Sequence, residues 1–270
     1  MASDRSAPEA PSSASFKAGA IRLQLFASAP YSACDPAELH TLGVAFERQH
    51  GVHAIGSDRR CDFDTWPGVL AYTPAGLEVF SESPAGGEYL AARWMHHDTL
   101  LDTPVPAARL ETPGRRDALA IAVKLRRALL GVVPDPLELE QWALQFVSLG
   151  VTPPQRRRGV PAQFYARVLD LIAAEYERPL PLARLAAWCG QGELAFLRGF
   201  TAAFGITPHA FVTATRMQAA RRMMERSPMA LAEIAAACGF AHQSHMGLAF
   251  QRQFGISAGA YRRLRNPRAR

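Results

Sequence analysis

The stretch CGFAHQSHMGLAFQRQFG, residues 238–255, admits two chemistries. Cys238, His242 and His245 stand four and three residues apart, as the thiolate and imidazole ligands of a zinc ion would. The flanks, however, look like the turn and second helix of a DNA reader. Other chemistry-bearing residues are sparse. His40, His50, His53, His96 and His97 lie in the amino-terminal half, where clustered His and Glu would hold a catalytic metal. They form no His-x-His followed at short range by Glu, and adjacent strand residues such as His96 and His97 point to opposite faces. Cys34, Cys61, Cys189 and Cys238 include no Cys-x-x-Cys pair, and read as buried free thiols rather than a disulfide framework. No catalytic residue, metal or cofactor is expected.

An internal repeat bears on the choice. Leu182, Leu185, Ala186, Cys189 and Gly190 recur 49 residues later as Leu231, Ile234, Ala235, Cys238 and Gly239. Beyond the turn the offset is 50: Phe196, Phe200, Phe204, Gly205, Ile206 and Thr207 recur as Met246, Phe250, Phe254, Gly255, Ile256 and Ser257, and Phe211 as Tyr261. Each copy predicts a helix whose small residue lets a second helix cross closely, then a glycine able to take the left-handed conformation that ends the first helix. The first copy has the cysteine without histidines, so the cysteine reads as a small buried side chain of a helix-turn-helix unit and not as a ligand.

The elements around this repeat predict two domains of α+β class. Residues 16 to about 110 read as short strands broken by Pro67-Gly68, Pro74-Ala75-Gly76 and Pro84-Ala85-Gly86-Gly87, the spacing of an antiparallel barrel or sandwich. Aromatic residues on these strands form a core or line a small-molecule pocket; Trp66, Tyr72 and Trp94 are the candidates for an effector pocket, with Tyr89 beside them. Apolar residues at helical spacing predict two helices over 114–150, able to pack on the first domain or to form a dimer face. Residues 1–15 read as a disordered leader, 151–162 as a linker, 163–264 as an all-α domain and 265–270 as a basic tail. From residue 160 onward there are 14 arginines, no lysine and 6 acids, a balance of +8 against +6 for the whole chain. Such an asymmetry points to a polyanionic partner. No apolar run approaches the ~18 to 20 residues that cross a bilayer, and the amino terminus lacks the basic-then-apolar order of a secretion signal, so a cytoplasmic protein without a membrane partner is expected.

The second unit, with Gly239, Phe240, Gln243, Ser244, Met246, Phe250, Phe254, Gly255, Ser257, Tyr261 and Arg262 in order, resembles the DNA-binding domain of the AraC/XylS family of bacterial transcription regulators. The first agrees through Phe196, Leu197, Arg198, Phe200, Gly205, Thr207 and Pro208. The amino-terminal half resembles that family's cupin-like sensing and dimerisation domain in general texture and position. The resemblance implies recognition helices over about 192–203 and 242–253 in successive major grooves roughly 34 Å apart, joined by a long helix over about 208–226. It implies base readers at Glu193, Leu194, Leu197 and Arg198 in the first helix and at His242, Gln243, Ser244 and Gly247 in the second, with Arg216, Arg252 and Arg262 on phosphates. Leu248 stands where the family commonly has Arg, Ala258 replaces a usual proline, and Gly192 and His242 occupy positions where Ser, Asp or Asn caps are preferred.

The function expected is a sequence-specific transcription regulator with double-stranded DNA, RNA polymerase, a small effector and a second copy of the chain as partners. The competing readings are an interaction module that antagonises another regulator through the 114–150 helices, and a cupin-type metalloenzyme.

Overall fold

The computed structural model describes residues 12–95, 105–112, 115–131, 135–152 and 162–265. Residues 1–11 of the expected leader, 153–161 of the expected linker, 266–270 of the tail, and His96 and His97 lie outside this set. The chain divides into two units, residues 1–129 with 133–156 and residues 130–132 with 157–270.

The first unit holds two antiparallel sheets. The six-stranded sheet runs in the order β1 (Ser12–Ala18), β2 (Ile21–Phe26), β9 (Tyr89–Met95), β4 (Leu39–Ala45), β7 (Leu70–Thr73), β10 (Leu110–Thr112). The four-stranded sheet runs β3 (Tyr31–Asp35), β8 (Val79–Ser83), β5 (Gln49–Ile55), β6 (Cys61–Thr65). Residues 12–15, expected in the leader, instead open β1, which pairs with β2 across the turn at Gly19.

Strand alternation gives the larger sheet two chemically different faces. Leu23, Leu25, Leu42, Val44, Leu70, Tyr72, Leu90, Ala92 and Trp94 are all buried, and register aligns Leu23 with Ala92, Ala92 with Leu42, and Leu42 with Tyr72. Helices α1 (Arg116–Leu129) and α2 (Pro136–Val151) pack on this sheet. The approach is close enough that a Cβ on Gly150 of α2 would lie 2.3 Å from Leu42 Cδ2. Asp135 starts α2 by accepting the Leu137 N–H at 2.9 Å, with Pro136 at the first helical position. Intervening residues of the same strands, among them Thr41, Ala71, Thr73 and Arg93, line a cavity of about 410 Å³ together with residues of the smaller sheet.

That parity sets the residues expected at an effector pocket apart from this cavity. Trp66, Tyr72 and Trp94 are not among the residues lining the cavity. Tyr72 and Trp94 belong to the buried apolar face and flank His40, whose ring stacks 6.0 and 5.3 Å from theirs. The Ala75 N–H donates to His40 Nδ1 at 3.1 Å, so the Tyr72 hydroxyl 2.9 Å from that nitrogen donates to it too. Trp66 is covered by the Arg48 guanidinium, 4.0 Å from its ring centre, while Arg48 also holds Asp64 through two nitrogens. Of Trp66, Tyr72, Tyr89 and Trp94, Tyr89 alone lines the cavity.

The second unit contains helices only among its described residues. After a 3-10 turn at Ala162–Tyr165 come α3 (Ala166–Glu175), α4 (Leu182–Trp188), α5 (Glu193–Phe204), α6 (Pro208–Arg226), α7 (Leu231–Ala237), α8 (Gln243–Phe254) and α9 (Ala258–Arg265). Tyr165, Phe196, Phe200, Phe204 and Phe211 form one aromatic core, with neighbouring ring centres 4.5–5.9 Å apart. Phe250, Phe254 and Tyr261 form its counterpart. Tyr261 takes its place in a polar network that Phe211 lacks. Its hydroxyl donates to Glu225 and accepts from Arg221 Nε at 3.1 Å, tying α9 to α6.

Candidate nucleic-acid interface

In both repeats the turn follows from a glycine. Gly190 and Gly239 have φ of +63° and +76°, a region that penalises any Cβ. In each, the N–H two residues past the cysteine returns to the alanine at the close helix crossing: Gln191 to Ala186 at 3.0 Å and Phe240 to Ala235 at 2.9 Å. The extra residue of the second copy falls after this bond, where Phe240 is buried. Helices α5 and α8 then present the same surface. Residues 193, 194, 195 and 198 are exposed, as are 243, 244, 245 and 248, over buried Phe196 and Phe200 or Met246 and Phe250.

Among the residues expected at DNA, Glu193, Leu194 and Arg198 project from the first two turns of α5, and Leu197 is half-buried. Arg198 has no hydrogen-bond or ion-pair partner among the described residues, so its guanidinium is available. Gln243 and Ser244 open α8 on the exposed face. His242 does more than was expected of it. Its Nδ1 accepts the His245 N–H at 3.1 Å, so it caps α8 itself and presents only Nε2 outward. Gly192 makes no side-chain cap for α5.

The phosphate candidates divide. Arg252 is exposed. Arg216 instead donates Nε to the Tyr176 carbonyl at 2.7 Å and Nη2 to that of Arg178 at 2.9 Å. Arg262 donates Nη2 to the Met229 carbonyl at 2.7 Å. Both therefore anchor the segments that lead into α4 and α7. Exposed Arg222 and Arg226 of α6 were not anticipated; their positions in RRMMER, one residue after buried Arg221 and two after buried Met224, were the available signal.

Cys238 is fully buried, its S–H 3.9 Å from Met223 Sδ, and burial pushes the thiol up to about 11, the opposite of what a thiolate ligand requires. Among the described residues no group of three or more His, Cys, Asp or Glu is placed to hold a metal. Alkylation of the native protein at pH 8 should thus label exposed Cys61 first and spare Cys238 until denaturant is added. Mass spectrometry of the digest checks this, and early labelling of Cys238 would contradict the packing described.

Gly247 holds the position equivalent to Leu197, and a Cβ there would meet nothing within 4 Å. A mid-helix glycine costs up to about 1 kcal/mol relative to alanine. Gly247→Ala should accordingly raise the melting temperature of the free protein. If α8 lies with its backbone against the groove, the same change should weaken DNA binding; a titration with the variant separates these effects.

The sequence profile of a family described as a helix-turn-helix domain matches residues 185–264. The HTH-type transcriptional regulator MtrA of Neisseria gonorrhoeae is 32% identical over 80 residues, 30% of this chain and 27% of MtrA. The HTH-type transcriptional activator RhaR of Salmonella schwarzengrund is 28% identical over 171 residues, 60% of this chain and 59% of RhaR. The chain thus spans less than two thirds of the length of these relatives. Among solved structures, the DNA-binding domain of AdpA in complex with a target DNA is 29% identical, with a TM-score of 0.37 over 38% of this chain and 96% of that one. ToxT of Vibrio cholerae aligns with 92% of this chain and 99% of its own at 9% identity and a TM-score of 0.37. No helix among the described residues is long and apolar enough to cross a membrane. The carboxy-terminal part of this chain is a helix-turn-helix domain of the AraC/XylS family.

Proposed function

We propose that the chain is a sequence-specific DNA-binding transcription regulator whose amino-terminal unit, a cupin-like sensing and dimerisation domain, responds to a small effector. The observation that carries this reading is the matched pair α5 and α8, which expose equivalent positions on short helices each held by a glycine turn and an aromatic core. Arg198 is suited to guanine and Gln243 to adenine, each pair worth ~1 to 3 kcal/mol of discrimination. Leu194 and Leu197 can meet thymine methyls, Glu193 a cytosine amino group, and His242 Nε2 and Ser244 an acceptor on a base edge. Arg252 supplies phosphate contact, with Arg222 and Arg226 added to that role. Effector binding changes the balance between two states of the dimer and so the DNA sites it occupies and its contact with RNA polymerase.

The test is binding of the full chain to a labelled fragment from upstream of its own gene, at two salt concentrations, against an unrelated fragment of equal length. Preference for the upstream fragment at both concentrations, with affinity falling as salt rises, is the expected result. Equal weak binding to both fragments, vanishing at the higher salt, would replace this reading with the interaction module, which exposed Leu248 in place of an arginine also favours.

A further inference from the structure

The cavity between the two sheets has the volume of a small-molecule site. Its walls include Phe26, Phe63, Val69 and Val79, and the His53 ring stacks on Phe63 at 5.4 Å and 13°, giving one side a flat apolar surface. Among the described residues, the charges lining it are Arg93, Arg109 and Asp35. Arg93 is buried and committed: Nη2 holds Asp35 at 2.8 Å and Nη1 holds Gln24. Arg109 donates Nη1 to Thr73 Oγ1 at 2.7 Å and Nη2 to Glu111 at 3.2 Å, but Glu111 is 53% exposed and such a pair is screened by water. The Arg109 Nε is buried with no hydrogen-bond partner among the described residues, and the same is true of Thr41 Oγ1. Both residues line the cavity on neighbouring positions, because Thr41 is the cross-strand partner of Thr73, to which Arg109 is bonded. Burial and the neighbouring Arg109 lower the proton affinity of His53, and Arg93, Arg109 and Asp35 together give the lining one net positive charge.

Resting on the effector-sensing reading of this unit, we infer that the cavity takes a small organic monoanion with a flat or aliphatic apolar body, a carboxylate whose oxygens accept from Arg109 Nε and Thr41 Oγ1. A buried donor left without an acceptor is costly, and a charge-assisted bond to a carboxylate satisfies both groups while neutralising the lining. A neutral isostere would satisfy the hydrogen bonds only in part and leave the charge.

Titration calorimetry on the full chain with 3-phenylpropanoate, benzoate and hexanoate, each against its primary amide, tests the charge requirement. At least one carboxylate should bind about tenfold or more tightly than its amide. Arg109→Gln, checked for folding by circular dichroism, should abolish that difference, and Thr41→Val should weaken the acid more than the amide. Equal affinity for acid and amide, no binding of any of the three acids, or an undiminished acid preference in Arg109→Gln overturns the inference. DNA binding measured on the same samples keeps the two readings apart. Retained specific DNA binding without carboxylate recognition sinks only the ligand class; carboxylate recognition without DNA binding sinks the regulator and leaves the cavity site standing.

Discussion

Arg198→Ala should weaken binding to the upstream fragment by about tenfold to a hundredfold, from the ~1 to 3 kcal/mol attached to a bidentate arginine on guanine. The side chain is exposed and has no partner among the described residues, so its removal should change the melting temperature little. Loss of affinity can then be assigned to the contact with DNA. Arg198→Lys should recover only part of it, since a lysine cannot reproduce the planar two-donor fork. The structure also supplies an internal control. Leu248 occupies the equivalent place on α8 and is 59% exposed, and Leu248→Ala should have a far smaller effect. Leu248→Arg should raise affinity, most steeply at low salt if the new contact is to phosphate. Fluorescence anisotropy at two salt concentrations resolves the cases. A base contact leaves the salt slope nearly unchanged and relaxes sequence preference, whereas a phosphate contact lowers the slope by about one and weakens all sequences alike. Indistinguishable binding curves for Arg198→Ala and the parent would remove α5 from the groove.

The parts of the fold legible from sequence are those where one period dominates. The long helix expected over 208–226 runs Pro208–Arg226, because Thr207 and Pro208 mark its start: the Thr207 hydroxyl accepts the Ala210 N–H at 3.2 Å and proline needs no N–H partner there. The two second helices begin one residue later than expected, at Glu193 and Gln243, since Gly192 and His242 stay extended as caps. Strand parity was the harder signal. Aromatic type singled out Trp66, Tyr72 and Trp94, yet the alternation of Tyr72 with Ala71 and Thr73, and of Trp94 with Arg93, decides which face meets the cavity. Arg93 inside YLAARWM was the better clue: a charged residue in an apolar strand must face a polar partner or a cavity. Local pattern had no way to reveal Arg216 and Arg262 as anchors, because their carbonyl partners lie 33 to 40 residues away.

Arg126 gives the same lesson with a larger energy attached. Within KLRRALLG it resembles the solvent face of α1, but it is 1% exposed and forms an ion pair with Glu88, also 1% exposed, with its guanidinium 4.5 Å from the Phe46 ring. The Glu88 carbonyl accepts the Phe46 N–H at 2.9 Å, so main chain and side chain of Glu88 fasten one loop to a strand end and to α1. Taking both charges out of water costs several kcal/mol per ion, which their mutual attraction helps to offset. Glu88→Ala removes the carboxylate of this buried ion pair and should cost about 3 to 5 kcal/mol, lowering the melting temperature of the amino-terminal unit by about 10 °C for a unit of this size. Tryptophan emission reads the transition selectively, because Trp66, Trp94 and Trp142 lie in that unit and only Trp188 in the other. The double variant Glu88→Leu with Arg126→Leu removes both charges and should recover most of the loss, since a buried pair owes little net stability to its attraction once desolvation is counted. A Glu88→Ala protein melting within a degree or two of the parent would mean that Arg126 reaches water or another carboxylate, and that α1 is held to the sheet by its apolar face alone.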